Sequence, residues 1–483
     1  MTDASKTTDT GSWRHNSSVR LVDYWEKYLL RYSEYYRSVG VSNPLPDGDP
    51  WEYVQSFPIT HKKDFAGSED AFLLKAKGPG APKDWALADV ESAGVTTRLT
   101  GSLRVDVEDP EEAFRHEWLP IHFQRSGGTT GQALTTSYTQ YDIFGPFRDS
   151  AEYLYRVTGI LPTDRVMNLC PAAPHLGIYA TLILPLLIGQ PNFNTFGGRV
   201  LPTGDQLLIA DQFRPNAIIG ITSYVGHWLR MLGTAVQSGQ LAGLSSLRRV
   251  ICVGEPVGTA LRARLRDLAN AGGARDIAVL EGMSSTEMRS AGFYECAEGS
   301  GMHVDDARFF VELLNPETRA AAEPGEPGIL VWSHIGWRGH ALARYWTGDY
   351  VARGLTLGEC PSCGRYGQRL LGPISRYERD FTKVRGAIVE YTSLVEALQS
   401  VPQILNFQVI LNKATPSDPA SRDEMEILVG SEPNAVKREE VVSAVRRASE
   451  ITPDRVRFLG PDDVERKLFA RKLKAELIID DRK

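Results

Sequence analysis

The chain has 483 residues, 42% of them hydrophobic and 24% charged, and a formal net charge of −6 at neutral pH. This length is too great for one compact domain and suits a large domain with a smaller one. The acidic balance argues against a nucleic-acid or anionic-membrane partner, although a local basic patch is compatible with it. The first residues, "MTDASKTTDTGSWRHNSS", lack the apolar core of a signal peptide and read as a disordered leader over residues 1–18. Five cysteines without an export signal imply reduced thiols in a cytoplasmic protein.

From Arg20 to Val39, apolar and aromatic residues recur at helical spacing and predict an amphipathic helix packed on its own domain. Pro- and Gly-rich connectors follow ("NPLPDGDPW", "KGPGAPKDW"). Between Phe123 and Val331 short β-rich runs alternate with longer helical ones. "DRVMNLCPA", "NAIIGITS", "RRVICVGEP" and "DIAVLEGMSS" read as buried strands, whereas "YDIFGPFRDSAEYLYRVTG" and "GTALRARLRDLANAGG" read as helices. The apolar run "YATLILPLLIG" is shorter than a membrane span and fits a buried helix or strand. This alternation predicts a mixed α/β sheet with ligands at the carboxyl ends of its strands. Beyond Asp380 come a helical run, a strand pair ("ILNFQVILN", "DEMEILVG"), a charged helix ("KREEVVSAVRRASEI") and a basic tail. The expected organisation is a large N-terminal mixed-sheet domain over 19–378 and a small mobile C-terminal α+β lid over 379–483.

The stretch "FQRSGGTTGQALTTSYT" looks like a phosphate loop, yet no Walker Gly-Lys-Ser/Thr follows and Gln132 stands where a lysine would be welcome. Further along come "GEP" (Gly254–Pro256), "MSSTE" (Met283–Glu287), "RYWTGD" (Arg344–Asp349), "SRYERDFTKVRG" and a lysine near the end of the chain. In this order and spacing the motifs resemble the acyl-adenylate-forming ligase superfamily, in particular its phenylacetate–coenzyme A ligase family. "FPITHKKDF", "HVDDARFFVELLNPET" and "CPSCGR" extend the resemblance, which covers roughly Trp51 to Arg482.

The resemblance implies an ATP-dependent ligase that activates a carboxylic acid as an acyl-adenylate and releases pyrophosphate. Ser126, Gly127, Gly128, Thr129, Thr130 and Gly131 would cradle the outgoing phosphates through N–H groups and hydroxyls. Gly254, Glu255 and Pro256 would line the adenine pocket, with Met283, Ser284 and Ser285 beside it. Met283-Ser284 stands where the family usually has Tyr-Gly. Thr286 would touch the α-phosphate, and Glu287 would hold the Mg²⁺ that bridges ATP oxygens. Asp349 and Arg376 would take the ribose hydroxyls, and Arg379 or Asp380 would be the hinge of the lid. Lys474 would stabilise charge where the carboxylate meets the α-phosphate, with Lys467 and Lys472 as competitors.

Beside the α-phosphate, Tyr141, His175, Ser223 and Tyr224 would form a slot for a flat, aromatic acid; His175 also suits a structural role. Cys296, His303, Cys360 and Cys363 supply a tetrahedral set for a structural Zn²⁺, the alternative being a redox pair at Cys360 and Cys363. Coenzyme A is the expected acceptor, with Lys383 and Arg385 after the hinge facing it. An amine acceptor, nitrite activation toward an aryl amine, and a nucleotide-binding regulator without turnover stay open. So does a homodimer.

Overall fold

A computed structural model of the chain describes residues 10–39, 48–83, 85, 109–126, 134–171, 176–289, 291–377, 381–385, 387–415, 418, 421–470 and 475–482. The four apolar runs read as strands are strands with buried centres: Val166–Asn168, Ala217–Ile221, Arg249–Val253 and Ala278–Met283. Thr259–Ala271 is the expected helix. The other forms a continuous helical stretch from Gln140 to Thr158, with a π-helical turn around Pro146, and it stops at Gly159 in the left-handed region (φ 71°). "YATLILPLLIG" resolves as a helix, Leu176–Ile188. No helix among the described residues is long and apolar enough to cross a membrane.

The first helix begins at Thr10, inside the segment expected to be an unstructured leader, and runs to Tyr24. The signal that the leader reading missed is the spacing of Trp13, Ser17, Leu21 and Tyr24. Ser17, Leu21 and Tyr24 are buried, and Arg14 stacks its guanidinium 4.8 Å from the ring centre of Trp51.

Two compact units make up the chain: Met1–Phe196 with Leu280–Gly372, and Gly197–Val279 with Pro373–Lys483. In the first, Val166–Asn168 pairs in parallel with Asn192–Asn194. Antiparallel ladders join the end of Ala278–Met283 to Phe293–Glu295, then Met302–His303, Tyr366–Leu370 and Leu355–Glu359. A separate antiparallel set runs Phe309–Leu314, Gly328–His334, Tyr345–Val351, with Val331 facing both Glu312 and Trp346. In the second unit, Ala217–Ile221 and Arg249–Val253 are parallel, and each leads into a helix, Thr222–Gln237 and Thr259–Ala271. The C-terminal residues form a four-stranded sheet in the order Arg455–Leu459, Asp423–Gly430, Asn406–Lys413, Ile478–Asp480. Leu394, Leu398, Phe407, Ile427 and Val441 fill its core. Three helices accompany it, one more than the sequence suggested: the start of the basic tail is helical over Pro461–Leu468.

The interior of the first unit holds charge as well as apolar surface. Arg289 and Asp142 have fully buried side chains and are paired at 2.7 Å. Arg289 also donates to the carbonyls of Ser137 and His340, and its guanidinium lies 4.4–4.5 Å from the rings of Tyr138 and Trp337. Asp142 accepts three further bonds, from the N–H groups of Thr139 (3.1 Å), Arg338 (2.7 Å) and Gly339 (2.8 Å). Position 339 has to be glycine, because a Cβ there would lie 2.8 Å from the same Asp142 oxygen. Beside this cluster Arg338 pairs with buried Glu117 at 2.9 Å and covers the ring of Tyr28. Removing one partner of such a pair strands the other charge in the interior. Asp142→Asn keeps the shape and deletes the charge, so denaturant unfolding should show a loss of about 3–5 kcal/mol. A loss below about 1 kcal/mol would mean the pair does not organise this core.

Candidate active site

The glycine-threonine loop is the connection of a hairpin. Pro120–Arg125 and Thr135–Thr139 pair antiparallel down to Arg125 opposite Thr135. Ser126 then closes the ladder twice with Leu134: its N–H donates to the Leu134 carbonyl, and its Oγ accepts from the Leu134 N–H, both at 2.8 Å. Gly127, Gly128, Thr129, Thr130, Gly131 and Gln132 lie outside the described residues.

In the second unit Gly254, at φ 79°, turns the chain out of its strand, which a residue without a side chain does at little cost. The turn aims Glu255 at the start of the helix Thr222–Gln237. Its carboxylate accepts from the Ser223 N–H (2.8 Å) and the Ser223 Oγ (3.0 Å), while Thr222 Oγ1 donates to the Glu255 carbonyl at 2.9 Å. An anion there satisfies an N–H group that the helix itself cannot and meets the positive end of the helix dipole. Ser223 and Glu255 are thus brought together. Tyr224 points elsewhere: its hydroxyl bonds Thr203 (3.0 Å) and Gln206 (2.9 Å).

In the first unit, Met283 ends a strand and Ser284–Arg289 form tight turns, with N–H groups of Met288 and Arg289 donating to the Ser285 and Thr286 carbonyls at 3.1 Å. Thr286 and Glu287 are buried. Tyr345 donates its hydroxyl to Glu287 at 3.1 Å, and Tyr345 opens the strand that carries buried Asp349. This hydrogen bond links the Met283–Glu287 motif to the Asp349 strand. The Asp349 N–H rests on Thr347 Oγ1 at 2.9 Å. Arg344, from the same motif, is structural: it forks onto Glu312 at 2.7 and 3.1 Å and reaches the carbonyls of Gln55 and Phe57. Tyr141 lies against the guanidinium of Arg338, 4.6 Å from the ring centre. Arg376 is exposed at the end of a short strand; His175, Arg379 and Asp380 lie outside the described residues.

In the C-terminal region Lys467 is exposed on the helix Pro461–Leu468, and Lys472 and Lys474 lie outside the described residues. The chain on either side is anchored, because the Glu476 N–H donates to the Leu468 carbonyl at 2.9 Å. Arg385, expected to face an acceptor, is instead committed within its own unit, to Asp454 at 3.1 Å and to the Thr452 carbonyl at 2.9 Å.

Cys296, His303, Cys360 and Cys363 converge, with all four ligand atoms within 4.8 Å of one another. Cys296 and Cys360 sulfurs are 3.7 Å apart, and Cys363 sulfur is 3.6 Å from His303 Nε2. Ligands of a tetrahedral zinc, at about 2.3 Å for sulfur and about 2.0 Å for nitrogen, lie about 3.5–3.8 Å from each other, so the set fits that ion. Burial pushes the Cys296 thiol up to about 12, and burial, with Arg369 and Arg365 nearby, pushes the His303 imidazole down to about 4. Burial also opposes ionisation of Cys360, but N–H groups of Ser362 and Cys363 offset it and hold that thiol below its ordinary range.

Sequence reasoning missed Arg289, Tyr345 and the capping role of Glu255. Arg289 and Tyr345 stand beside recognisable motifs, but their partners are distant in sequence and carry no spacing signal.

No family model matches the chain. A 2-hydroxyisobutyryl-CoA ligase, solved in the postadenylation state with 2-HIB-AMP, superposes with a TM-score of 0.72 over 99% of this chain and 91% of its own, at 19% identity. This is the fold of the acyl-adenylate-forming ligases. The same enzyme with 2-HIB-AMP and CoA in the thioesterification state gives a TM-score of 0.58 over 98% of this chain and 91% of its own, at 19% identity. By sequence, the phenylacetate–coenzyme A ligase of Thermus thermophilus is 26% identical over 350 residues, 69% of this chain and 72% of that protein. The resemblance read from the motifs is borne out.

Replacing the Glu255 cap tests the local geometry. Glu255→Ala should lower stability in urea by about 1–2 kcal/mol, the size of a lost cap. An unchanged unfolding midpoint would show that the helix start does not depend on this carboxylate.

Proposed function

We propose that the protein is an ATP-dependent, AMP-forming acid–thiol ligase. It joins a carboxylic acid, aromatic by preference, to AMP with release of pyrophosphate, and then transfers the acyl group to coenzyme A. The observation that carries this reading is the ordered motif set on a chain alignable along almost its whole length with a ligase solved around an acyl-adenylate. Thr286 and Glu287 supply a hydroxyl and a buried carboxylate from one tight turn, and Asp349 supplies the carboxylate for the ribose. Glu287 is acceptor-only when ionised and is steadied by Tyr345; with ATP oxygens it would hold Mg²⁺, which offsets charge on the phosphates. Gly254 to Pro256 would border adenine, and the Ser126 hairpin would present N–H groups to the leaving pyrophosphate. Lys474 would meet the developing charge at the α-phosphate from a C-terminal lid that turns near Arg379 and Asp380 between the two half-reactions.

Coenzyme A is the preferred acceptor because the relatives with thioester chemistry in their names share this fold. The commitment of Arg385 to Asp454 removes that side chain from the argument. We place the enzyme in the cytoplasm, with small molecules as its partners. Purified protein offered a panel of aryl and alkyl acids with ATP and Mg²⁺ should release pyrophosphate with at least one, and added coenzyme A should speed AMP release and yield a thioester. Lys474→Ala should slow acyl-adenylate formation about a hundredfold, roughly the 3 kcal/mol of one preorganised charge contact. AMP release indifferent to coenzyme A, with an amide formed from an offered amine or a diazo product from nitrite and an aryl amine, would replace the acceptor assignment.

The four-residue Cys/His cluster would carry a structural zinc, since all four tetrahedral positions would be filled by protein and none left for water or substrate. Metal analysis should give close to one zinc per chain. Cys360→Ser should lower the thermal midpoint while leaving ATP binding in place, and a metal-free protein of full stability would remove zinc from the assignment.

A further inference from the structure

The helix Pro461–Leu468 has two different faces. Its apolar side, Val464 and Leu468, packs with Leu428 into the C-terminal sheet. Its polar side reaches the helix Thr222–Gln237 through ions. Glu465 Oε1 is 2.5 Å from His227 Nδ1, and Glu465 Oε2 is 3.0 Å from Arg230 Nη2. Asp462 adds a second carboxylate 3.5 Å from Arg230. Arg230 Nη2 also stands 3.3 Å from His227 Nδ1. An ionised carboxylate only accepts, so the short contact assigns the Nδ1 proton to His227, donated toward Glu465. Each oxygen of Glu465 thus has its own donor, on successive turns of one helix.

Beside these ion pairs the two sets of elements meet at some points, as where the Gly258 backbone comes against Glu396, and stand apart at others. A cavity of about 440 Å³ lies between them, with Gly226, Leu261 and Leu265 on one wall and Val395, Phe407 and Leu468 on the other. A permanent interface would fill such a space with side chains; here it stays open beside the ion pairs. Farther along, Arg199 donates to the Phe469 carbonyl at 3.3 Å and Arg264 to the Ile404 carbonyl. Ion pairs with part of their surface in water are weak individually and readily exchanged for hydration, which suits a contact that has to open.

We propose that Glu465 is a positioning residue. Its carboxylate, divided between His227 and Arg230, latches the end of the C-terminal segment against the helix Thr222–Gln237 and holds it there for acyl-adenylate formation. The Glu476 N–H donates back to the Leu468 carbonyl at 2.9 Å, so the chain beyond this helix is tied to it as well. Glu465 touches no reactant in this scheme; it acts through the placement of the lysine, and the proposal rests on the ligase reading given above.

The test compares wild type, Glu465→Gln and Glu465→Asp in each half-reaction, with phenylacetate as the probe acid and phenylacetyl-AMP as the supplied adenylate. Glu465→Gln should slow pyrophosphate release about tenfold and leave thioester formation from supplied adenylate unchanged or faster, with Glu465→Asp recovering part of the loss. In parallel, limited trypsin cleavage within residues 466–474 should accelerate severalfold in Glu465→Gln at an unchanged thermal midpoint. Equal loss in both half-reactions with a lowered midpoint would overturn the latch in favour of plain structural support, and so would unchanged cleavage with unchanged rates. If the wild type released no pyrophosphate with phenylacetate or any acid of the panel, the ligase reading would fall, and the trypsin comparison, which needs no turnover, would still decide the latch.

Discussion

A fully buried guanidinium sets the frame for the first unit. Arg289 cannot be left unpaired at that depth, and it gathers Asp142, two carbonyls and two aromatic faces around itself. Asp142 in turn holds the backbone of Arg338 and Gly339. Three stretches far apart in sequence are therefore locked at one point: the helix start after Thr139, the turn after Glu287, and the loop before His340. Glu287 sits two residues from Arg289, and Arg289 takes a left-handed backbone (φ 59°) to reach its partners. The location of the candidate magnesium carboxylate is thus dictated by electrostatic necessity, which tolerates far less displacement than apolar packing does.

The second unit follows another logic. Its two parallel strands lead into Thr222 and Gly254, and Glu255 joins those ends, its carbonyl accepting from Thr222 and its carboxylate from Ser223. The C-terminal sheet has its own apolar core, while its links to the helices Thr222–Gln237 and Thr259–Ala271 run through side-chain donors around a cavity. The first unit is knit internally by buried charge, and the second joins its parts by partly hydrated contacts.

Much of this was legible in the sequence, for reasons that differ by element. The strands around Ile218, Ile251 and Leu280 announce themselves because both of their faces are buried, giving uninterrupted apolar runs. The metal-type cluster was readable from residue chemistry, since Cys-x-x-Cys with an outlying cysteine and histidine has few other uses. The helix at Thr10–Tyr24 was missed because its polar composition resembles a solvated leader and its buried positions within 10–18 are two serines, Ser17 and Ser18. Glu255 was read as a pocket residue, and its bonds to Ser223 could not be seen, because a cap supplied from another strand has no local spacing. The pairing of Arg385 with Asp454 was hidden for the same reason: nothing in "TKVRG" reveals an acid 69 positions later.

The two hydrogen bonds between Ser126 and Leu134 pin the two strands of the hairpin together where they part. The strand register is settled at Arg125 and Thr135 before the loop begins. For the protein engineer, Ser126 and Leu134 are two fixed attachment points between which a designed sequence could be grafted.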